Sequence, residues 1–220
     1  MDFAFSPADE RFRDALRAWL AANRPTHAER VPHDAASLAG EVALLRAWQR
    51  TLHAAGYVGL LWPRDYGGGG ARPTEQAILN QELARARAPQ LINRVGINNT
   101  GPTLILHGTE AQKRRLLPPI LSADELWCQL FSEPGAGSDL AALRTRAEPD
   151  GDDFVVTGQK VWTSYAQFAK WGILLARTDP SAPKHHGITY FVLDMESPGI
   201  TIRPLRQITG STEFSEVFLE

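Results

Sequence analysis

The sequence predicts an α+β, multidomain protein: an N-terminal all-helical domain over residues 1–124, then an antiparallel β-barrel or sandwich domain over residues 125–220. Three observations carry this expectation. Apolar residues in the first half recur at helical spacing. Past Leu126, short segments rich in β-branched and aromatic residues alternate with Gly and Pro turns. No internal repeat or low-complexity tract blurs the change of character.

In the helical half, Ser6 before Pro7 marks a helix start, with the hydroxyl at the cap and proline where no N–H is missed. Phe12, Leu16, Trp19 and Leu20 follow at helical spacing, and Pro25 closes the segment. Leu44, Leu45, Trp48 and Leu52 mark a second helix, with Gly56 as its C-cap. "YVGLLWPRDYGGGGARP" interrupts as a loop, and its Tyr66 to Gly70 run is expected to be flexible. A third helix is expected from Thr74 to Arg87, with Ile78, Leu79 and Leu83 facing inward. A short helix then ends at Gly108. The next one opens with Thr109 and Gln112 at capping-box spacing, and Pro118 and Pro119 are expected to end or kink it.

In the second half, strands are expected over 127–131, 153–157, 160–164, 171–177, 188–193 and 200–203. The turns "EPDGDD", "TDPSAPKHHG" and "ESPG" punctuate them. "STEFSEVFLE" alternates as a half-buried strand should, and the chain stops inside it. Because a closed β domain rarely leaves its last strand uncovered, the chain is expected to be the front part of a longer one.

Composition bounds the function. Of 220 residues, 43% are apolar and 22% charged, a soluble globular profile. The net charge of −2 gives no bulk electrostatic case for nucleic acid or an anionic membrane. A small anionic ligand needs only a local patch and stays open. Cys128 is the single cysteine, so no internal disulfide and no Cys-rich metal site can form, and a reducing, cytoplasmic setting is expected. The start, "MDFAFSPADERFRDALRAWL", has no basic region before an apolar core and does not read as a signal peptide. No apolar run reaches the ~20 residues of a membrane span. His33, His53 and His107 are scattered and His185 and His186 sit in a turn, so no metal is expected.

The stretch "LFSEPGAGSDLAALRTRAE" is the first candidate site. Gly135 and Gly137 flank Ala136, but Leu140 occupies the place of the third glycine of a dinucleotide fingerprint. No lysine follows as in a P-loop, and no βαβ unit surrounds the stretch. Two residues without a Cβ still let a ligand approach the backbone, and N–H groups in such a turn can donate to anionic oxygens. The loop alone is equally consistent with a tight connection between strands. A second stretch, "GQKVWTSYAQFAKWGILLAR", puts Trp162 and Ser164 on one face of a strand. A large ring beside a hydroxyl suits a flat ligand with a hydrogen-bonding edge.

Together and in this order, "LLWPRDYGGGG", "HGTEAQKRRLLPPIL", "FSEPGAGSDLA", "DFVVTGQKVWTS" and "FSEVFLE" resemble the acyl-CoA dehydrogenase family of flavoenzymes. The resemblance runs from Phe3 to Glu220. It implies a helical domain, a middle β-barrel and a C-terminal helical bundle that this sequence does not contain. It implies FAD as cofactor, with Gln129, Phe131 and Ser132 beside the isoalloxazine, and Gly137 and Ser138 toward the phosphates and the acyl-CoA. Trp162 would cover the ring and Ser164 would bond near its reactive nitrogen. Ser138 is the implied substrate contact. Ser132 stands where many relatives have Thr, and Gln129 where some have an aromatic.

The implied reaction is α,β-dehydrogenation of an acyl-CoA thioester, with hydride transfer to the flavin. An electron-transfer flavoprotein or similar acceptor is the implied partner, and a homo-oligomer or a heteromer with a related subunit the implied assembly. In relatives the base is a glutamate of the C-terminal domain. No catalytic residue is therefore assigned within these 220 residues, and Glu133 reads as a structural carboxylate. An oxidase or hydroxylase on the same scaffold, or a non-catalytic partner subunit, are the alternatives.

Overall fold

The computed structural model describes residues 4–25 and 35–220, with side chains from 38 onward in the second range. Phe3 and His33 lie outside the described residues. The chain forms two compact units: one of helices, whose main span is Gly40–Asp124, and one of strands, Glu125–Glu220, with which residues 35–39 group.

The helical unit begins with α1, Pro7–Asn23, capped by Ser6: its hydroxyl accepts from Asp9 N–H, and the Asp9 carboxylate accepts from Ser6 N–H. Helix α2 spans Ala35–Ala54, and Gly56 (φ 79°) turns the chain after it. Helices α3, Pro73–Arg85, and α4, Gly101–His107, follow, the latter preceded by a π-helical turn at Gly96–Thr100. The unit is held by a buried amide relay: Gln49 Nε2 donates to the Ile120 and Leu121 carbonyls, and Gln49 Oε1 accepts from Asn93 N–H. Trp19 stacks on Trp48 at 5.9 Å.

Two expectations change here. Helix α5, Glu110–Ser122, runs through Pro118 and Pro119 rather than ending there. Leu116, Leu117, Ile120 and Leu121 are all buried. Burying four such side chains contributes on the order of 6–12 kcal/mol, enough to offset about 3 kcal/mol for each proline. The Tyr66 to Gly70 run is also not an open loop. The N–H groups of Gly68, Gly69 and Gly70 donate to the carbonyls of Pro63, Gly59 and Trp62. A side chain on Gly68 would strike the Trp62 backbone, so glycine lets the loop fold back on itself.

The second unit is a seven-stranded sheet: β1 Trp127–Leu130, β2 Arg146–Asp150, β3 Asp153–Ser164, β4 Trp171–Arg177, β5 Ile188–Asp194, β6 Ile200–Pro204 and β7 Phe214–Leu219. The sheet is mixed rather than wholly antiparallel, because β1 runs parallel to β4. The expected pair of segments 153–157 and 160–164 is one strand, β3. Gly158 does not break it; glycine is needed there because a Cβ would stand 2.8 Å from Thr145 Cα on the neighbouring segment. Strand β2 follows the glycine loop and was not expected. Cys128 and Leu130 of β1, Ala147 of β2, Leu174 and Ala176 of β4 and Val217 and Leu219 of β7 share one core. Phe191 and Leu193 of β5 pack on it, and so do Ile200 and Ile202 of β6. Strand β6 ends the order β1-β4-β2-β3-β7-β6 and β5 branches from it at β4, near the other end, so a sheet curled around its core brings them to one cluster.

Candidate functional site

The predicted residues fall on two adjoining pieces of the strand unit. Gln129 is the half-buried third residue of β1, paired with Ile173 of β4. Phe131 and Ser132 lie just past β1 and are half-buried. The chain then turns tightly: Glu133 and Ala136 exchange N–H···O bonds of 2.9 and 3.0 Å. Gly137 and Ser138 follow, both exposed. The second piece is the end of β3. Lys160 pairs with Val217 and Thr163 with Ser215, so Val161 and Trp162 together oppose Glu216. This is a β-bulge, a device that re-aims side chains. Trp162 sits in it at φ 60°, an outlier for a bulky residue. Its indole is 60% exposed and meets Phe214 edge-on at 6.1 Å. Past the bulge alternation resumes: Thr163 is buried, while Trp162 and half-buried Ser164 share the open side.

A backbone bond joins the two pieces. Val161 N–H donates to the Ser132 carbonyl at 2.9 Å. The structure thus brings Phe131 and Ser132 to the strand carrying Trp162 and Ser164. Ser138 goes elsewhere. It lines a cavity of about 350 Å³ with Asp139, Leu140, Leu175 and His185, which none of the other predicted residues line.

Whether a flavin fits can be judged from the loop and the bulge. A Cβ on Gly135 or Gly137 would meet nothing within 4 Å, and neither residue has positive φ. The chain's own packing therefore does not require glycine at either place. The open backbone suits an anionic group approaching N–H donors. An indole turned outward against its backbone preference suits a flat ring. These residues fit the cofactor that the resemblance implies.

The electrostatic centre of the site was missed in the sequence. Lys160 is fully buried. Its ammonium donates to Glu133 Oε1 at 2.9 Å, to the Leu175 carbonyl at 2.8 Å and to the Phe131 carbonyl at 3.1 Å. Glu133 also accepts from Arg144 N–H at 2.7 Å and Thr145 N–H at 2.9 Å. Burial pushes the Glu133 carboxyl up, but Thr145, the Lys160 ammonium and the Arg144 N–H together hold it below the usual carboxylate range. Burial pushes Lys160 down, partly offset by Glu133. An ionised carboxylate that already holds three donors is a poor proton acceptor. The signal for Lys160 was a charge at an inward position of β3, in phase with Val156. Elsewhere, burial pushes the Cys128 thiol up to about 12, leaving it unreactive. Among the described residues no His, Cys, Asp or Glu cluster could hold a metal.

Comparison with known families gives two matches in chain order. Residues 6–124 match the acyl-CoA dehydrogenase N-terminal domain, and residues 128–220 the acyl-CoA dehydrogenase middle domain. The chain belongs to the acyl-CoA dehydrogenase family. It is 44% identical over 227 aligned positions to acyl-CoA dehydrogenase IpdE1 of Mycobacterium tuberculosis, covering 96% of this chain and 55% of that protein. The solved "Tcur3481-Tcur3483 steroid ACAD" superposes with a TM-score of 0.86 at 37% identity, covering all (100%) of this chain and 56% of that one. The ChsE4-ChsE5 complex of Mycobacterium tuberculosis gives 0.82 at 34% identity, with 100% and 55% covered. The chain thus spans about half the length of the relatives it matches (55% of IpdE1).

Proposed function

We propose that this chain forms the flavin-facing part of an FAD-dependent acyl-CoA dehydrogenase. The observation that carries the reading is the β3 bulge, which turns Trp162 outward at φ 60° beside a glycine loop with open space above its backbone. Bound FAD would supply the hydride acceptor for an α,β-dehydrogenation. The chain's own residues would hold and orient. Trp162 covers one face of the ring. The Ser164 and Ser132 hydroxyls and the Gln129 amide meet its polar edge. Phe131 lies beside the ring, and Gly137 leaves room for the phosphate side. Ser138, at its separate cavity, meets the acyl-CoA.

Proton abstraction is not assigned to this chain. The base must be ionisable and open to the α-carbon, and Glu133 is bound to Lys160 and two N–H groups. A carboxylate from outside these residues is proposed for that step, with an electron-transfer flavoprotein or similar acceptor drawing off the electrons.

One observation favours a heteromeric form. Two neighbours at 37% and 34% identity carry paired names, Tcur3481-Tcur3483 and ChsE4-ChsE5. On that support the chain works with a related subunit, and the name of one neighbour, steroid ACAD, makes a steroid-bearing acyl-CoA the first substrate to try. The test is anaerobic titration of the purified protein, alone and with a related subunit, against straight-chain and steroid-bearing acyl-CoA thioesters. Bleaching of flavin absorbance with formation of the enoyl-CoA is expected where a related subunit supplies the carboxylate, and little or none with these 220 residues alone. Flavin that stays oxidised with every thioester in the presence of that subunit sinks the dehydrogenase reading, and rapid reoxidation by air transfers it to an oxidase.

A further inference from the structure

Among the described residues Lys160 is the largest fully buried side chain. A buried ammonium is costly unless every donor is used. Here the three acceptors come from two stretches of chain: the Phe131 carbonyl and the Glu133 carboxylate where the glycine turn starts past β1, and the Leu175 carbonyl on β4. Glu133 carries the connection on to Arg144 and Thr145, where the glycine loop ends. Glu133, at the start of the loop that holds Gly135, Gly137 and Ser138, thereby ties that start to the loop's end. Lys160 is also the last regularly paired residue before the bulge, and its neighbour Val161 donates to the Ser132 carbonyl.

We propose that Lys160 is a positioning residue for the flavin site. Its ion pair with Glu133 sets the register between the glycine loop and the bulge that presents Trp162. The claim rests on the functional reading above for what the register serves, but not for the register itself. Both Lys160 and Glu133 are buried, at 0% and 9% exposure. Lys160 is buried and pointed away from the open side that Trp162 and Ser164 share. Its acceptors tie β3 to β4 and to the start of the glycine turn. Leu or Met would fill the same volume without desolvating a charge.

The test compares wild type with Lys160→Met and with the double variant Glu133→Gln/Lys160→Met. The double variant leaves no unpaired buried charge, so it keeps the comparison open if the single variant fails to fold. Two readouts are needed. Hydrogen exchange by mass spectrometry reads the register without any cofactor: peptides covering 131–145 and 158–165 should exchange faster in the double variant, while β5 and β6 keep wild-type protection. Flavin fluorescence and visible circular dichroism read the consequence. The flavin Kd should weaken about tenfold or more, which corresponds to about 1.4 kcal/mol, with an altered dichroic band. A folded double variant with wild-type exchange in both peptides overturns the proposal. So does one with loosened peptides and an unchanged flavin Kd and spectrum. If wild type itself takes up no flavin, the functional reading fails, and the exchange data alone decide the register claim.

Discussion

At the residue scale, the Lys160–Glu133 pair sets the two clearest energetic expectations. Lys160→Met leaves a carboxylate buried without its counter-charge, a change that typically costs about 3–5 kcal/mol. Denaturant unfolding should show that loss, and the double neutral variant should recover most of it. The pH dependence follows from the direction of the Glu133 shift. Its carboxyl is held below the ordinary 4.5 in the fold. Between the folded and unfolded values the unfolded chain binds more protons, so stability rises with pH there. The contribution is complete above the unfolded value and is lost as pH falls through the folded one. Glu133→Gln should flatten the acid limb of a stability-against-pH curve, and an unchanged limb would contradict the assignment. The sequence places Glu133 in the strand-end motif, where a structural carboxylate is expected. It did not show its partner, because the two residues are 27 apart and meet only when β3 is laid beside the end of β1.

At the element scale, the bulge in β3 is the feature with most consequence. A left-handed backbone costs a non-glycine residue roughly 1–2 kcal/mol, and Trp162 carries that strain while recovering one edge-on contact with Phe214. Trp162→Gly should therefore leave the thermal midpoint near wild type or raise it, while weakening flavin binding. A large fall in the midpoint would mean that the indole is core rather than site. The glycines give a paired contrast. Gly137→Ala meets open space and should be neutral to folding, whereas Gly158→Ala drives a methyl against Thr145 and should destabilise. Differential scanning calorimetry of the two variants separates them. Much of this element layer was legible. The Ser6 cap before Pro7, the capping-box spacing of Thr109 and Gln112 and the alternation of β7 are local signals, and the helices and strand they announce are present. What was not legible depends on tertiary packing. Helix α5 crosses two prolines because its apolar face is buried, and β2 follows the glycine loop with the burial pattern of an edge-like, mostly exposed strand. The bulge left no mark in the alternation on either side of it.

At the scale of the whole molecule, the change from helices to strands was readable because periodicity changes from 3.6 to 2 across one short segment. The parallel pairing of β1 with β4 was not, since strand direction leaves no trace in alternation. No helix among the described residues is long and apolar enough to cross a membrane. Family membership and the site geometry together make flavin binding the claim on which the rest depends. The visible absorption spectrum of the purified protein tests it most directly, recorded for wild type beside Trp162→Gly and Gly137→Val. Flavin bands are expected in wild type, with occupancy weakened about tenfold or more in both variants at near-native unfolding midpoints. A wild-type protein without flavin bands, or variants that hold flavin as tightly as wild type, would contradict the account.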